Sequence, residues 1–390
     1  MKKLVAVILV MILALSLMAC GKDAADSGTS APPASSPDAS PAGSPPPSAA
    51  VAPTVGTVDD DVDYFTRDPY KFVYAHYDNR SLEQEAWESF QMVAGRFNYE
   101  VSRMSGDSDD ETFLNNLQAL IDRGGIDGLL VQAPNTIDRA VCDVLDSGDI
   151  PYIIMFSPFY DDQNRCILPS SALNQYDTGY ESMKFLIDIR ENYWGAVDPS
   201  EIGLLTIDFS VVPVLHERAF GIDDAFKEAF PNNGDNMFYF DAYSAPTGTQ
   251  MESGYDATTQ IITANPGVKY WLICGTIEEF SQGAARAAES LGMESNILIT
   301  AIGTTVFKEE WESGYHGSWV STIAIYTPGH TTPGVLALIA FIEGRATPFT
   351  IWPQFLRPGD FASIWEADFK PVTFDGLYDY LEEMRIIYGW

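Results

Sequence analysis

From about residue 70 onward, short apolar runs rich in β-branched and aromatic residues alternate with amphipathic stretches of helical period, and the alternation is played through twice. Such alternation specifies βαβ units, because a parallel strand can be reached only by a crossover long enough to hold a helix. The first pass predicts strands at 71–76, 99–103, 126–132 and 150–156, with helices over 81–97, 110–123 and 136–146. The second predicts helices over 178–193, 214–230, 255–264 and 280–291 and strands at 202–207, 237–242, 269–274 and 296–302. Two similar α/β halves in tandem leave a cleft between them. Ligands of open α/β sheets sit beyond the carboxyl ends of the strands, so facing sheets direct a site into that cleft.

Ahead of this lies sequence of another kind. Lys2 and Lys3 precede an apolar run from Leu4 to Leu15, which ends in Leu17, Met18, Ala19, Cys20 and Gly21. Positive, then apolar, then small is the order of a cleaved secretory leader, and the run is shorter than the roughly 20 residues of a membrane span. The cysteine after the small residue resembles the bacterial lipobox, which implies acylation at Cys20 (palmitate-type chains) and an extracytoplasmic, lipid-anchored protein. Residues 21–65 are Ala, Ser, Pro, Gly and Asp with almost no large apolar side chain, a composition that predicts a disordered tether. About 325 residues follow, natural for two domains.

The formal charge of −33 argues against nucleic acid as a partner, since phosphate backbones are bound by Lys and Arg. It also leaves the acyl group, not surface charge, as the anchor. Cys142, Cys166 and Cys274 form an odd set without CxxC spacing, so neither a disulfide framework nor a zinc site is expected. His76, His216, His316 and His330 lack HExxH spacing, and no GxSxG elbow or GxxxxGK[ST] loop occurs. No cofactor, metal or catalytic constellation is expected, and the chain reads as a monomeric binder rather than an enzyme.

The order of several short motifs resembles the type I periplasmic binding proteins, the sugar-binding group that shares its fold with the ligand domain of lactose-repressor-like regulators. Ile126-Asp127-Gly128-Leu129-Leu130-Val131 followed by Ala133-Pro134-Asn135, then Ile150-Pro151, resemble strands that end at the ligand. Asp177 with Gly179 resembles the crossing into the second domain, Arg218 with Gly221 a helix start, Gly283-Ala284-Ala285 a later helix, and Pro333-Gly334 through Glu343-Gly344-Arg345 the segment returning to the first domain. The resemblance implies an α/β fold of two Rossmann-like parallel-sheet domains joined by a multi-strand hinge. The lobes are expected at 66–176 plus 328–355 and at 177–327 plus 356–390, after a leader at 1–20. Where many sugar binders carry Asn-Asp before the Gly-Ala helix, this chain has Ile277 and Glu278. Where they carry an Asp after the following strand, it has Thr304 and Thr305.

Strand ends select the candidate ligand contacts. Tyr77, beside Asp78, Asn79 and Arg80, offers an aromatic face with polar neighbours, suited to a sugar ring; the other reading is a solvated loop before the helix at Ser81. Asn135 reads equally as a ligand contact or as a helix cap before Ile137. Ser157 faces the ligand by the family pattern or makes a turn with Pro158. Arg218 matches a position that supplies a guanidinium fork to ligand oxygens; otherwise it pairs on a helix surface with Asp223 or Glu217. Glu278 and Thr304 follow second-domain strands, and Trp352 is assigned to core or hinge packing ahead of ring stacking.

Together these imply a lipid-anchored solute-binding protein of an ABC importer, closing on a small polar ligand, a sugar first and a nucleoside second, with Tyr77, Phe156 and Phe209 available to stack a base. Permease subunits are the expected partners. A sensor subunit for a membrane kinase or chemoreceptor, and a surface hydrolase, are the rival classes.

Overall fold

The computed structural model of the chain describes residues 63–242 and 249–389. Cys20, the leader and the tether up to residue 62 lie outside the described residues. The last tether positions do not: Tyr64–Thr66 form a 3-10 turn, and the buried Tyr64 ring packs edge-on against Phe97 at 5.2 Å. The body therefore begins inside the range given to the tether, because an aromatic anchor at 64 finds a partner 33 residues on.

The first lobe is a six-stranded sheet built from β1 (Tyr70–His76), β2 (Tyr99–Ser105), β3 (Gly128–Gln132), β4 (Tyr152–Phe156), β5 (Ser170–Ala172) and, far along the chain, β11 (Ile364–Glu366), in the order β11-β5-β4-β3-β1-β2 with every pair parallel. Helices α1 (Ser81–Phe97), α2 (Asp110–Arg123) and α3 (Asp138–Asp146) are its crossovers. Phe72 and Tyr74 of β1 face one core, Val73 and Ala75 the other, so both faces are covered, as parallel sheets require. Asp109 caps α2 by accepting from the Thr112 N–H at 2.8 Å.

The second lobe carries four parallel strands, β6 (Ile202–Asp208), β7 (Met237–Asp241), β8 (Tyr270–Gly275) and β9 (Ile297–Thr300), ordered β7-β6-β8-β9. Around them lie α4 (Gln175–Ile189), α5 (Pro213–Ala229), α6 (Gln250–Ala264), α7 (Glu278–Leu291) and α8 (Thr305–Glu312). An antiparallel pair, β10 (Ser321–Ile325) with β12 (Phe369–Thr373), adjoins β9 through bridges at Ile299–Trp319 and Ile302–Ile323. The final helix α10 (Phe374–Ile387) packs Leu377, Tyr380 and Met384 into the same core. Neither β5, β10, β11 and β12 nor α8 and α10 is predicted by periodicity; two of those strands are only three residues long, too short to show a period.

Between these strands runs α9 (Pro328–Ile342), which buries Val335, Leu338 and Ile339 in the first core. It starts at Pro328 rather than at Pro333, which sits inside it. Among the described residues the chain passes between the lobes at 173–175, 325–328 and 366–369. The assignment of all of 356–390 to the second lobe is corrected by β11, which pairs with β5 through Ile364–Ser170 and Glu366–Ala172. Cys142, Cys166 and Cys274 are free, and burial first of all pushes their thiols up, to about 11, 12 and 12.

Two helix pairs meet at glycines. A side chain at Gly179 would strike the Arg218 carbonyl, and one at Gly221 would strike the backbone of Tyr176 and Tyr180, so α4 and α5 touch main chain to main chain. Gly254 and Gly283 do the same for α6 and α7 against Phe280 and Met251. The motif glycines 179, 221 and 283 are thus places of close helix approach.

Candidate functional site

The carboxyl ends of both parallel sheets open on one cleft of about 680 Å³. The first lobe contributes the loop after β1, Gln132 at the end of β3 with Pro134 beyond it, and Phe156 with Ser157 at the end of β4. The loop after β1 is held from within. Tyr77 donates its hydroxyl to Asp110 at 2.6 Å and its main-chain N–H to Gln132 Oε1 at 3.0 Å. Burial and then that carboxylate push the phenol up to about 12. Asn79 Nδ2 donates to Ser105 Oγ at 3.1 Å, and Arg80 grips Asp78 Oδ2 through Nε and Nη2, both at 2.8 Å. Behind them Glu83 is 2% exposed, with Arg80 3.9 Å away, and burial pushes its carboxyl up to about 8. Phe156 adopts φ +70°, rare for a bulky residue, with its ring 5.2 Å from that of His330.

The second lobe contributes Phe209 after β6, Val212, Leu215 and Arg218 around the start of α5, Ile277 to Glu279 opening α7, and Gly303 after β9. Arg218 is 8% exposed, and it pairs with neither Asp223 nor Glu217. Its Nε donates to Gln175 Oε1 at 2.7 Å and its Nη1 to the Thr276 carbonyl at 2.6 Å, while Asp223 accepts instead from Thr206. Burial lowers the guanidinium to about 10, so it stays charged at neutral pH. Glu278 accepts from the Phe307 N–H at 2.9 Å; burial, reinforced by Glu279, pushes its carboxyl up to about 8. Gly303, at φ +142°, lies against that carboxylate, where a side chain would collide.

Of the predicted contacts, Tyr77, Asn79, Arg80, Ser157, Arg218 and Glu278 line the cleft. Asn135 and Thr304 do not. Asn135 Nδ2 donates to the Pro158 carbonyl at 2.8 Å, tying the loops after β3 and β4 together, and the 3-10 turn it begins follows Pro134 without a side-chain cap. Thr304 Oγ1 accepts from the Ile325 N–H at 2.7 Å and donates to its carbonyl at 3.1 Å, a clasp beside the second crossing. Trp352 is buried 6.1 Å from the Trp365 ring in the first core. Gln132 and Gln175 line the cleft but were missed; Gln132 ends its strand and Gln175 opens α4 behind its cap Asn174, so strand-end reasoning reaches the first and crossing-point reasoning the second. Among the described residues, side-chain hydrogen bonds link the two lobes: Glu85 of α1 accepts from Thr305 of α8 and from Thr327 at the second crossing, both at 2.6 Å, and Arg96 of α1 donates to the Tyr388 carbonyl beyond α10 at 2.7 Å.

No family profile matches the chain. Among curated proteins, it is 27% identical over 156 residues, 38% of its own length, to an ABC transporter L-arabinose-binding periplasmic protein of Azospirillum brasilense, and the match spans 44% of that relative. Among solved structures, it superimposes with a TM-score of 0.61 on an ABC transporter periplasmic solute-binding protein of Actinobacillus succinogenes with bound D-allose, at 15% identity over 80% of this chain and all of that one. The fructose-binding periplasmic domain of a hybrid two-component system matches with a TM-score of 0.60, at 13% identity over 82% of this chain and 95% of that one. All three are named as binding proteins.

Proposed function

We propose that this chain, which has the fold of the type I periplasmic binding proteins, is the extracytoplasmic solute-binding lipoprotein of an ABC importer and closes two lobes on a small sugar. The observation that carries this is the cleft itself, lined from both lobes and holding the buried guanidinium of Arg218. A sugar is apolar on its ring faces and hydroxylated at its edge; Phe156 and Phe209 suit the faces, and Arg218, Gln132 and Asn79 suit the edge. Hinge motion follows from a ligand that touches both walls only when they approach, which shifts the population toward the closed form that a permease recognises. Nothing catalytic is assigned to the cleft. The leader and Cys20 support a lipid anchor on the outer membrane face, with uptake energy supplied by partner subunits.

Full-length protein purified in detergent, melted against panels of sugars and nucleosides, tests the reading. A ligand at 100 times its dissociation constant adds about 2.7 kcal/mol to stability. A shift with nucleosides alone transfers the site to the second ligand class, which Phe156 and Phe209 also suit, and no shift with either removes the proposal. Cys20→Ser is expected to release the protein from membranes. The two-component neighbour favours one further reading, a sensor; pull-down of a membrane kinase in place of a permease would establish it.

A further inference from the structure

We infer that the sugar carries a carboxylate, and that Arg218 is the residue that pairs with it. The inference rests on the sugar-binding reading and names the substrate class of the same site. Arg218 is buried, lines the cleft, and has two neutral partners, the Gln175 amide and the Thr276 carbonyl. Among the described residues no carboxylate comes within 4.0 Å of its guanidinium. A buried charge is stable when a counter-charge meets it, and this one belongs to the cleft wall with N–H donors beyond those two bonds.

The acidic residues of the cleft wall are engaged elsewhere. Asp78 is held by Arg80 through two contacts at 2.8 Å. Glu279 acts on Arg80 too, joining Asp78 in raising that guanidinium against the pull of burial. Glu278 is the carboxyl whose charge would act on Arg218, but it is buried, accepts from the Phe307 N–H and is pushed up to about 8, so at neutral pH it is chiefly a neutral hydrogen-bonding group. The first-lobe guanidinium is thus neutralised by protein and the second-lobe one is not. A planar carboxylate matches the fork of a guanidinium in a way that a lone hydroxyl cannot. A sugar acid, a uronate or an aldonate, fits both features: its ring or chain meets Phe156 and Phe209 and its carboxylate meets Arg218.

Calorimetric titration of the full-length protein in detergent with D-glucuronate, D-galacturonate and D-gluconate, beside D-glucose, D-galactose and L-arabinose, decides it. The expected result is that at least one acid binds at least about tenfold more tightly than every neutral sugar. In Arg218→Gln, which keeps a hydrogen-bonding side chain without charge, that ratio should fall to about threefold or less. Neutral sugars binding as tightly as the acids would overturn this inference and leave the sugar-binding reading standing. Failure of both classes would end both. An acid preference that survives Arg218→Gln would overturn the assignment to Arg218.

Discussion

The indole Nε1 of Trp365 donates to the main-chain carbonyl of Gly329 at 3.0 Å, both groups buried in the first lobe. That carbonyl lies four residues before Pro333, which has no N–H to offer it. The late strand β11 thereby completes the hydrogen bonding of a helix whose interior proline would otherwise leave a buried carbonyl alone.

Trp365→Phe is therefore expected to destabilise the protein by about 1–3 kcal/mol beyond the loss of packing, the cost of an unsatisfied buried acceptor. Adding Pro333→Ala supplies the missing N–H and should recover part of that loss. Urea unfolding of the two single variants and the double variant measures the coupling; additive costs would show that the indole bond carries no stability.

Gly179→Ala inserts a methyl group where the Arg218 carbonyl lies. Main chain cannot step aside as a side-chain tip can, so α4 and α5 must separate, at a cost of about 1–3 kcal/mol or more. Because the contact is made by Arg218 itself, ligand affinity should fall with stability. Gly254→Ala, in the matching α6–α7 contact, should lower stability with a smaller effect on affinity, and melting plus titration of both variants separates the two.

Glu85→Ala removes the acceptor shared by Thr305 and Thr327. With that link across the lobes gone, the ligand-free protein should scatter X-rays with a larger radius of gyration, and affinity should weaken by about five- to tenfold. An unchanged radius and affinity would show that the contact does not hold the lobes together.

The buried carboxyls set a pH dependence. Glu278 and Glu83, both pushed up to about 8 chiefly by burial, retain protons in the folded state that they lose when unfolded, so the stability they contribute is full below about pH 4.5 and is lost as pH rises through 8. His330, which burial lowers to about 4, acts the other way, costing stability as pH falls from 6.5. Between pH 6.5 and 8 the carboxyls act without that opposition, and the melting temperature should decline. Around Glu278 stand Arg218, Glu279, Glu85 and the N–H groups of Val306 and Phe307. Glu278→Gln should flatten the decline; a slope unchanged in this variant and in Glu83→Gln would assign it to other groups.

The eight strands of the two passes and most of their helices were legible in the sequence because each carries its own period, a local property of the chain. The ends of those strands led to Tyr77, Asn79, Arg80, Ser157 and Glu278, since a parallel sheet brings its carboxyl ends to one side, while Arg218 came from the family resemblance of its helix start. Tertiary structure alone decided the rest. It gave β11 to the first lobe through pairing with a strand nearly two hundred residues earlier, turned Asn135 and Thr304 from ligand contacts into loop fasteners, and left Arg218 without a carboxylate. Local sequence fixes which side chains can reach a strand end; which partner each of them meets there depends on segments that only the folded chain brings together.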